Sequence, residues 1–315
     1  MIIAHQYSEA FTNRVSAALD SEVRLVPVAA DAPWTPPADA EVLLVDPGIG
    51  GKLSPSSPRP QGWPGNLRWV HMRSTGIDRF PAWFFEVPLV TVSRGAQAVA
   101  IAEYVLTAML AFEKRLPALW VSSREDWGGR DIGGLAGSTL GIVGFGHIGG
   151  AVARRALAFD MRVLGSRRTA GSSGMDGVEA ASLEEVLRTS DHLLISTPLT
   201  EETRNMFDDR AFGLMKRGGH LVNVGRGAVV DTDALRRALD SGIVAMASLD
   251  VTNPEPPPPG HWLYTHPNVH LTAHISSTGS STEARAEEIL LGNIAAYHAG
   301  DLQRMHGIVL RDKGY

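Results

Sequence analysis

Through residue 92, short apolar runs at 1–4, 23–28, 41–45, 68–72 and 89–92 alternate with helical or turn-rich stretches. Val, Ile and Leu dominate the runs, which read as strands joined by crossovers and predict a parallel α/β sheet. Residues 32–37 and 52–65 are rich in Pro, Ser and Gly and are expected to be surface loops. From 97 to 122 the period changes. Ala98, Ile101, Ala102, Val105, Leu106, Met109 and Phe112 recur three and four apart, which predicts one long helix leading into a second domain. Beyond Asp126 the alternation resumes, with strands predicted at 139–143, 161–164, 192–196, 220–224, 244–249 and 269–271. Helices are predicted between them at 147–159, 183–188 and 232–239, the last with Asp231 as N-cap. Six such strands suit a nucleotide-binding sheet. A final helix over 282–298 carries Ala286, Ile289, Leu290, Ile294 and Ala295 on one stripe. That stripe would suit packing on either domain or on a partner subunit.

Composition narrows the classes of function. The 315 residues allow two domains. The balance of 29 basic and 34 acidic residues, net charge −5, argues against a nucleic-acid partner. The absence of cysteine removes disulfides, thiolate nucleophiles and sulfur-ligated metals, and no other pattern points to a metal. The N-terminus lacks the basic and apolar regions of a signal peptide. The most apolar window, 98–112, contains Glu103 and is too short to span a bilayer, so the expectation is a cytoplasmic protein without a membrane partner.

Gly144-Phe145-Gly146-His147-Ile148-Gly149 fits the dinucleotide fingerprint G-x-G-x-x-G. A chain with 33 glycines would contain about 0.4 such matches by chance, so context decides. An apolar run precedes the string and an Ala-rich helical stretch follows, as a strand, tight turn and phosphate-binding helix require. Gly144 would permit the turn, Gly146 the approach of the pyrophosphate, and Gly149 close packing of helix on strand. The helix N-terminus would offer N–H groups and positive dipole to the anion. About twenty residues on, where a carboxylate would bind the adenosine ribose, the chain reads Ser166-Arg167-Arg168. Two guanidiniums and a hydroxyl would neutralise the extra phosphate of NADP, so NADP(H) is expected over NAD(H).

Three strand ends carry candidate chemistry. The stretch from Leu221 to Asp231 delivers Arg226, Leu249 to Pro256 places Asp250 and Glu255 in a proline-held loop, and Leu271 to Ser277 places His274 just past a strand. Ligands of open α/β sheets bind at such ends. The run 256–259, all proline, reads as a stiffener of this loop rather than a polyproline ligand.

Nearly the whole chain resembles the D-isomer-specific 2-hydroxyacid dehydrogenases. The matching segments are Ser74-Thr75-Gly76-Ile77-Asp78, Ala102-Glu103-Tyr104-Val105, the glycine fingerprint, Thr197-Pro198-Leu199-Thr200-Glu201-Glu202-Thr203, and the Arg226, Glu255 and His274 segments in family order. The resemblance implies an α/β protein of two doubly wound parallel-sheet domains and a two-fold dimer. Residues 1–97 and 281–315 would form a discontinuous flavodoxin-like substrate domain, and 98–280 a Rossmann dinucleotide-binding domain. It implies that His274 donates a proton to the substrate carbonyl oxygen, held by Glu255, and that Arg226 pairs with the substrate carboxylate. Thr75 and Gly76 would bind the same carboxylate through backbone N–H groups. Asp250 would lie near the nicotinamide carboxamide, and Thr197, Pro198, Thr203, Val224, Gly225, His274 and Ser276 would line the cofactor. One departure stands out: Ala273 precedes the histidine where the family often has proline.

The expected activity is NADPH-dependent reduction of a small 2-oxo acid of the glyoxylate or hydroxypyruvate type to the D-2-hydroxy acid. A 3-phosphoglycerate dehydrogenase-like enzyme is the alternative, with Arg73, Arg79 or Arg94 receiving the substrate phosphate. Formate dehydrogenases pair the histidine with glutamine where Glu255 stands. A dinucleotide-sensing corepressor like the C-terminal-binding proteins would bind cofactor without useful turnover.

Overall fold

The computed structural model describes residues 1–19, 21–129, 131–168 and 174–310. The chain divides into two compact units, Met1–Ala96 with Ser280–Tyr315, and Gln97–Gly279. The expected domain segments therefore include Asp20, Arg130, 169–173 and 311–315, which lie outside the described residues.

The first unit contains strands β1 (Ile2–His5), β2 (Arg24–Pro27), β3 (Val42–Val45), β4 (Trp69–Met72) and β5 (Leu89–Val92), with helices α1 (Glu9–Ala17) and α2 (Pro47–Gly50). All pairings are parallel in the order β2-β1-β3-β4-β5, the flavodoxin-like arrangement. Alternate side chains leave the strands on opposite faces. Ile3, Val42, Leu44 and Trp69 join Phe11 and Val15 of α1 and Leu290 and Ile294 of the C-terminal helix in one core cluster. Ala4, Leu43, Val45, Val70 and Met72 join Trp63, Trp83 and Phe84 in another. The proline-rich loops thus do more than cover the surface: Trp63 is buried, and Trp34 meets Trp63, Trp83 and Phe84 edge to face.

The second unit opens with α3 (Ala98–Lys114), followed by β6 (Thr139–Val143), α4 (His147–Leu157), β7 (Arg162–Ser166), β8 (Val178–Ala180), α5 (Leu183–Thr189) and β9 (His192–Ile195). It continues through α6 (Asp209–Leu214), β10 (Gly219–Asn223), α7 (Thr232–Asp240), β11 (Val244–Leu249) and β12 (Val269–Leu271). The order β12-β11-β10-β9-β6-β7-β8, parallel throughout, is the Rossmann order extended by one strand. Leu140, Ile142, Val163, Leu194 and Val222 pack with α3 and α4 on one face. Val143, Leu164, Leu193, Ile195 and Leu221 pack with α5, α6 and α7 on the other. The last helix, α8 (Ser280–His298), belongs to the first unit.

Two sequence expectations need correction here. The second sheet has seven strands, not six, because β8 is an edge strand of three residues with no apolar alternation. It is defined only by pairing Val178 with Val163 and its neighbours. The long helix stops at Lys114 rather than near 122. Arg115 closes it at φ +51°, and Pro117 lacks the N–H to continue while keeping Leu116 out of the helical region. Asp231 does cap α7, its carboxylate accepting the N–H groups of Asp233 and Ala234.

Candidate active site

Parallel pairing sets the C-terminal ends of β12, β11, β10, β9, β6 and β7 in a row, and the order in which the chain adds strands reverses between β9 and β6. A crevice opens at such a reversal. Gly144 leaves β6 at φ +96°, and a Cβ there would lie 2.7 Å from the Thr197 nitrogen, so the turn itself demands glycine. Gly146 is different: a Cβ there would meet no protein atom within 4 Å. Packing does not require glycine at this exposed position, whereas a phosphate resting against the start of α4 would. Gly149 sits one turn into α4, with a Cβ position 3.0 Å from Ile142, so close contact of helix and strand excludes a larger side chain. His147 opens α4 exposed, and Ile148 is half-buried beside it.

Across the reversal, the Thr197 hydroxyl is buried and has no hydrogen-bond partner in the protein. An orphaned buried hydroxyl on a residue whose backbone packs against Gly144 and Gly225 fits a polar ligand there. Thr203 shapes the same loop, its hydroxyl donating to Pro198 O at 2.8 Å and accepting from the Thr200 N–H at 2.8 Å. Ser166 ends β7 buried, and its carbonyl accepts from the Gly144 and Phe145 N–H groups. The Arg167 guanidinium lies 5.1 Å from the centroid of the Phe145 ring, and Arg168 lies 3.9 Å from the Glu202 carboxylate. No acidic residue stands at the β7 tip, from Ser166 to Arg168. These features suit the adenosine end of a dinucleotide.

Past β10, Val224 and Gly225 are buried and Arg226 is half-buried. Asn223 clamps this turn: its Oδ1 accepts from the Gly225 N–H at 3.0 Å and its Nδ2 donates to the Arg226 carbonyl at 3.2 Å. Arg226 Nη1 donates back to the Gly225 carbonyl at 2.8 Å. Past β12, His274 stands exposed with Nδ1 2.8 Å from Glu255 Oε1. Glu255 is only 24% exposed, and its other oxygen takes the Thr252 N–H at 3.4 Å. The pair leaves Nε2 as the imidazole nitrogen available to a substrate.

Asp250 is buried at the end of β11, and its carboxylate accepts from the Thr272 hydroxyl and the N–H groups of Ile275 and Ser276. Asn223 and Thr272 are site-building residues to which motif reading gave no role, and the available signal was a polar residue at a buried strand end. Tyr104, quoted only as part of a matching segment, reaches Thr272 from α3, its hydroxyl 2.8 Å from Thr272 Oγ1. Thr75 and Gly76 follow β4 in the first unit and are half-buried. Among the described residues, no group of three His, Asp or Glu could hold a metal, and no helix is long and apolar enough to cross a membrane.

Residues 106–276, more than half the chain, match the model of the D-isomer specific 2-hydroxyacid dehydrogenase NAD-binding domain. A glyoxylate reductase of Pyrococcus furiosus is 44% identical over 170 residues, covering 53% of this chain and 50% of that protein. The chloroplastic D-3-phosphoglycerate dehydrogenase 2 of Arabidopsis thaliana is 36% identical over 246 residues, 76% of this chain and 39% of that protein. The match therefore spans half or less of the length of these two relatives. Among solved structures, the D-isomer specific 2-hydroxyacid dehydrogenase from Xanthobacter autotrophicus Py2, in complex with NADPH and MES, superposes with a TM-score of 0.81 at 26% identity. That match covers 100% of this chain and 99% of the other.

Proposed function

The chain belongs to the D-isomer-specific 2-hydroxyacid dehydrogenase family, and from that premise we propose that it reduces a small 2-oxo acid to the D-2-hydroxy acid with NADPH. The observation that carries this reading is the 2.8 Å pairing of His274 Nδ1 with Glu255. When bound, the reduced nicotinamide supplies hydride to the carbonyl carbon. His274 gives its Nε2 proton to the carbonyl oxygen and recovers it in the reverse direction, and Glu255 holds the ring and stabilises its charged form. Arg226 presents a guanidinium fork to the substrate carboxylate. Thr75 and Gly76, in the first unit, are assigned to the same carboxylate.

Glycine at exposed Gly146 and the orphaned Thr197 hydroxyl support a dinucleotide at the β6–β9 reversal. Asp250, Val224, Gly225 and Ser276 are assigned to its nicotinamide half. Ser166, Arg167 and Arg168 are assigned to the adenosine phosphate, supported by two guanidiniums where the segment itself carries no acidic residue. Glyoxylate and hydroxypyruvate are the proposed substrates and the cytoplasm the proposed compartment. The Arabidopsis relative favours a second reading, oxidation of 3-phosphoglycerate. Of the three arginines this reading would use, Arg73 lies 3.5 Å from Glu283 and 5.9 Å from the ring centroids of both Tyr7 and Phe11.

Initial rates of NADPH and NADH oxidation across glyoxylate, hydroxypyruvate, 2-oxobutyrate, phenylpyruvate and 3-phosphohydroxypyruvate test the whole reading. Fastest NADPH-dependent turnover is expected with one of the first two. Fastest turnover of the phosphorylated compound would transfer the assignment to the second reading, and binding of cofactor without turnover would refute both. The variant Arg167→Asp with Arg168→Ala is expected to weaken NADPH relative to NADH. An unchanged NADPH to NADH ratio would refute the phosphate assignment.

A further inference from the structure

One carboxylate holds the turn that carries His274. Asp250 accepts the Ile275 N–H on Oδ1 at 2.9 Å and the Ser276 N–H on Oδ2 at 3.0 Å, while its carbonyl accepts the His274 N–H at 2.9 Å. Three successive N–H groups therefore close on a single residue, two of them as a nest around its carboxylate. His274 itself sits at φ +55°, a left-handed conformation that a non-glycine residue keeps only when its surroundings hold it there. The aim of the imidazole thus depends on where Asp250 is held.

A further donor reaches Asp250 from outside the turn. Thr272 Oγ1 lies 2.7 Å from Asp250 Oδ1 and 2.8 Å from Tyr104 Oη. A carboxylate only accepts, so the single proton of Thr272 goes to Asp250 and the Tyr104 hydroxyl donates to Thr272. The direction of the chain follows: Tyr104 to Thr272, Thr272 to Asp250. Burial raises the Tyr104 phenol above its ordinary value, the hydrogen bond to Thr272 opposes the rise and the Asp250 charge adds to it, and with the net shift upward the donating proton is present at neutral pH. Tyr104 projects from α3, which packs against α4 and carries buried Ala102 and Val105 in the core. The relay therefore ties the turn that carries the exposed His274 to a helix packed in the core.

We propose that Tyr104 and Thr272 are positioning residues for the reaction, setting through Asp250 the backbone turn that aims His274. The proposal rests on His274 being the proton donor. Tyr104→Phe removes one hydroxyl and keeps the ring. It is expected to lower kcat about threefold to tenfold, the worth of one hydrogen bond, with substrate KM and NADPH Kd nearly unchanged. Thr272→Val breaks both bonds and is expected to lower kcat by at least about tenfold, while Thr272→Ser restores it to within about twofold.

The second readout is independent of turnover. In protein labelled with 15N in its histidine rings, the His274 signals, assigned by their absence from His274→Ala, are expected to shift or broaden in Tyr104→Phe and Thr272→Val but not in Thr272→Ser. A merely structural role would lower the melting temperature and leave those signals in place. Unchanged kcat together with unchanged imidazole signals in Tyr104→Phe would overturn the proposal. If His274→Ala retained full kcat, the proton-donor reading would fail instead, and the ring signals alone would decide whether the hydroxyl chain positions the histidine.

Discussion

An imidazole can serve as a proton donor only if one nitrogen is held and the other is left to the substrate. Glu255 holds Nδ1 of His274 at 2.8 Å. In the proposed mechanism, His274→Ala is expected to lower kcat about 10²- to 10⁴-fold, the usual range for a positioned acid, while leaving NADPH binding largely intact. Stopped-flow rates and a cofactor titration by tryptophan fluorescence check the two halves. Turnover at the original rate would remove His274 from the mechanism. Arg226 shows the same logic of support, since Asn223 satisfies both the Gly225 N–H and the Arg226 carbonyl. A buried amide that satisfies two backbone groups defines where the guanidinium begins.

The turn from β6 into α4 separates the demands of packing from those of a ligand. At Gly144 a methyl group would strike Thr197 backbone with φ at +96°, so Gly144→Ala is expected to cost at least about 2 kcal/mol of stability. At Gly146 nothing lies within 4 Å of an added Cβ. Gly146→Ala is therefore expected to change stability by less than about 0.5 kcal/mol while weakening NADPH at least about tenfold. Urea unfolding and cofactor titration measure the two effects, and an equal loss of stability in both variants would contradict the distinction. The three glycines of one motif thus answer to different physical demands: turn geometry, ligand approach and helix packing.

Across the whole molecule, burial of neutral histidines sets a pH dependence of stability. Burial pushes His71 down to about 3 and His192 to about 4, and His220 well below its ordinary value. His71 is fully satisfied by Thr91 and Ser93. His192 and His220 meet through Nδ1 atoms 3.2 Å apart, and His220 reaches Ser248 at 2.9 Å. His192 Nε2 lies 3.2 Å from Glu113 Oε1 but off the line a hydrogen bond needs. The unfolded chain binds these protons below about pH 6.5, whereas the folded one resists them, so stability is full above 6.5 and falls as pH drops toward 4. Each histidine contributes a slope of about 1.4 kcal/mol per pH unit in that window. Glu113, raised by burial, offsets part of it. Denaturant titrations at pH 7.5 and 5 are expected to show the loss, and a flat profile would contradict it. Between α3 and β6, Leu116, Trp120, Val121, Trp127 and Ile132 are exposed. A homodimer is expected to cover them, so light scattering should find twice the chain mass, and Trp120→Glu with Trp127→Glu should shift it to the monomer. A wild-type monomer at micromolar concentration would refute that arrangement.

The alternation of strands and helices, the glycine string and the order of Arg226, Glu255 and His274 are all written in neighbouring residues, and they were enough to identify an α/β fold with a dinucleotide crevice. Periodicity reports burial, and a motif reports a local turn. Sequence spacing carries no comparable record of pairs brought together by strand order. β8 exists because β7 offers it an edge. The end of α3 follows from Pro117, whose local effect outweighs an apolar spacing that continues past it. Tyr104 and Thr272 are 168 residues apart, and only the packing of α3 and the placement of β12 beside β11 bring their hydroxyls to 2.8 Å. Neighbouring residues are enough to place Arg226, Glu255 and His274 at strand ends. How those groups are held follows from the folded chain, because hydrogen bonds between distant segments depend on distance and direction, which no local pattern encodes.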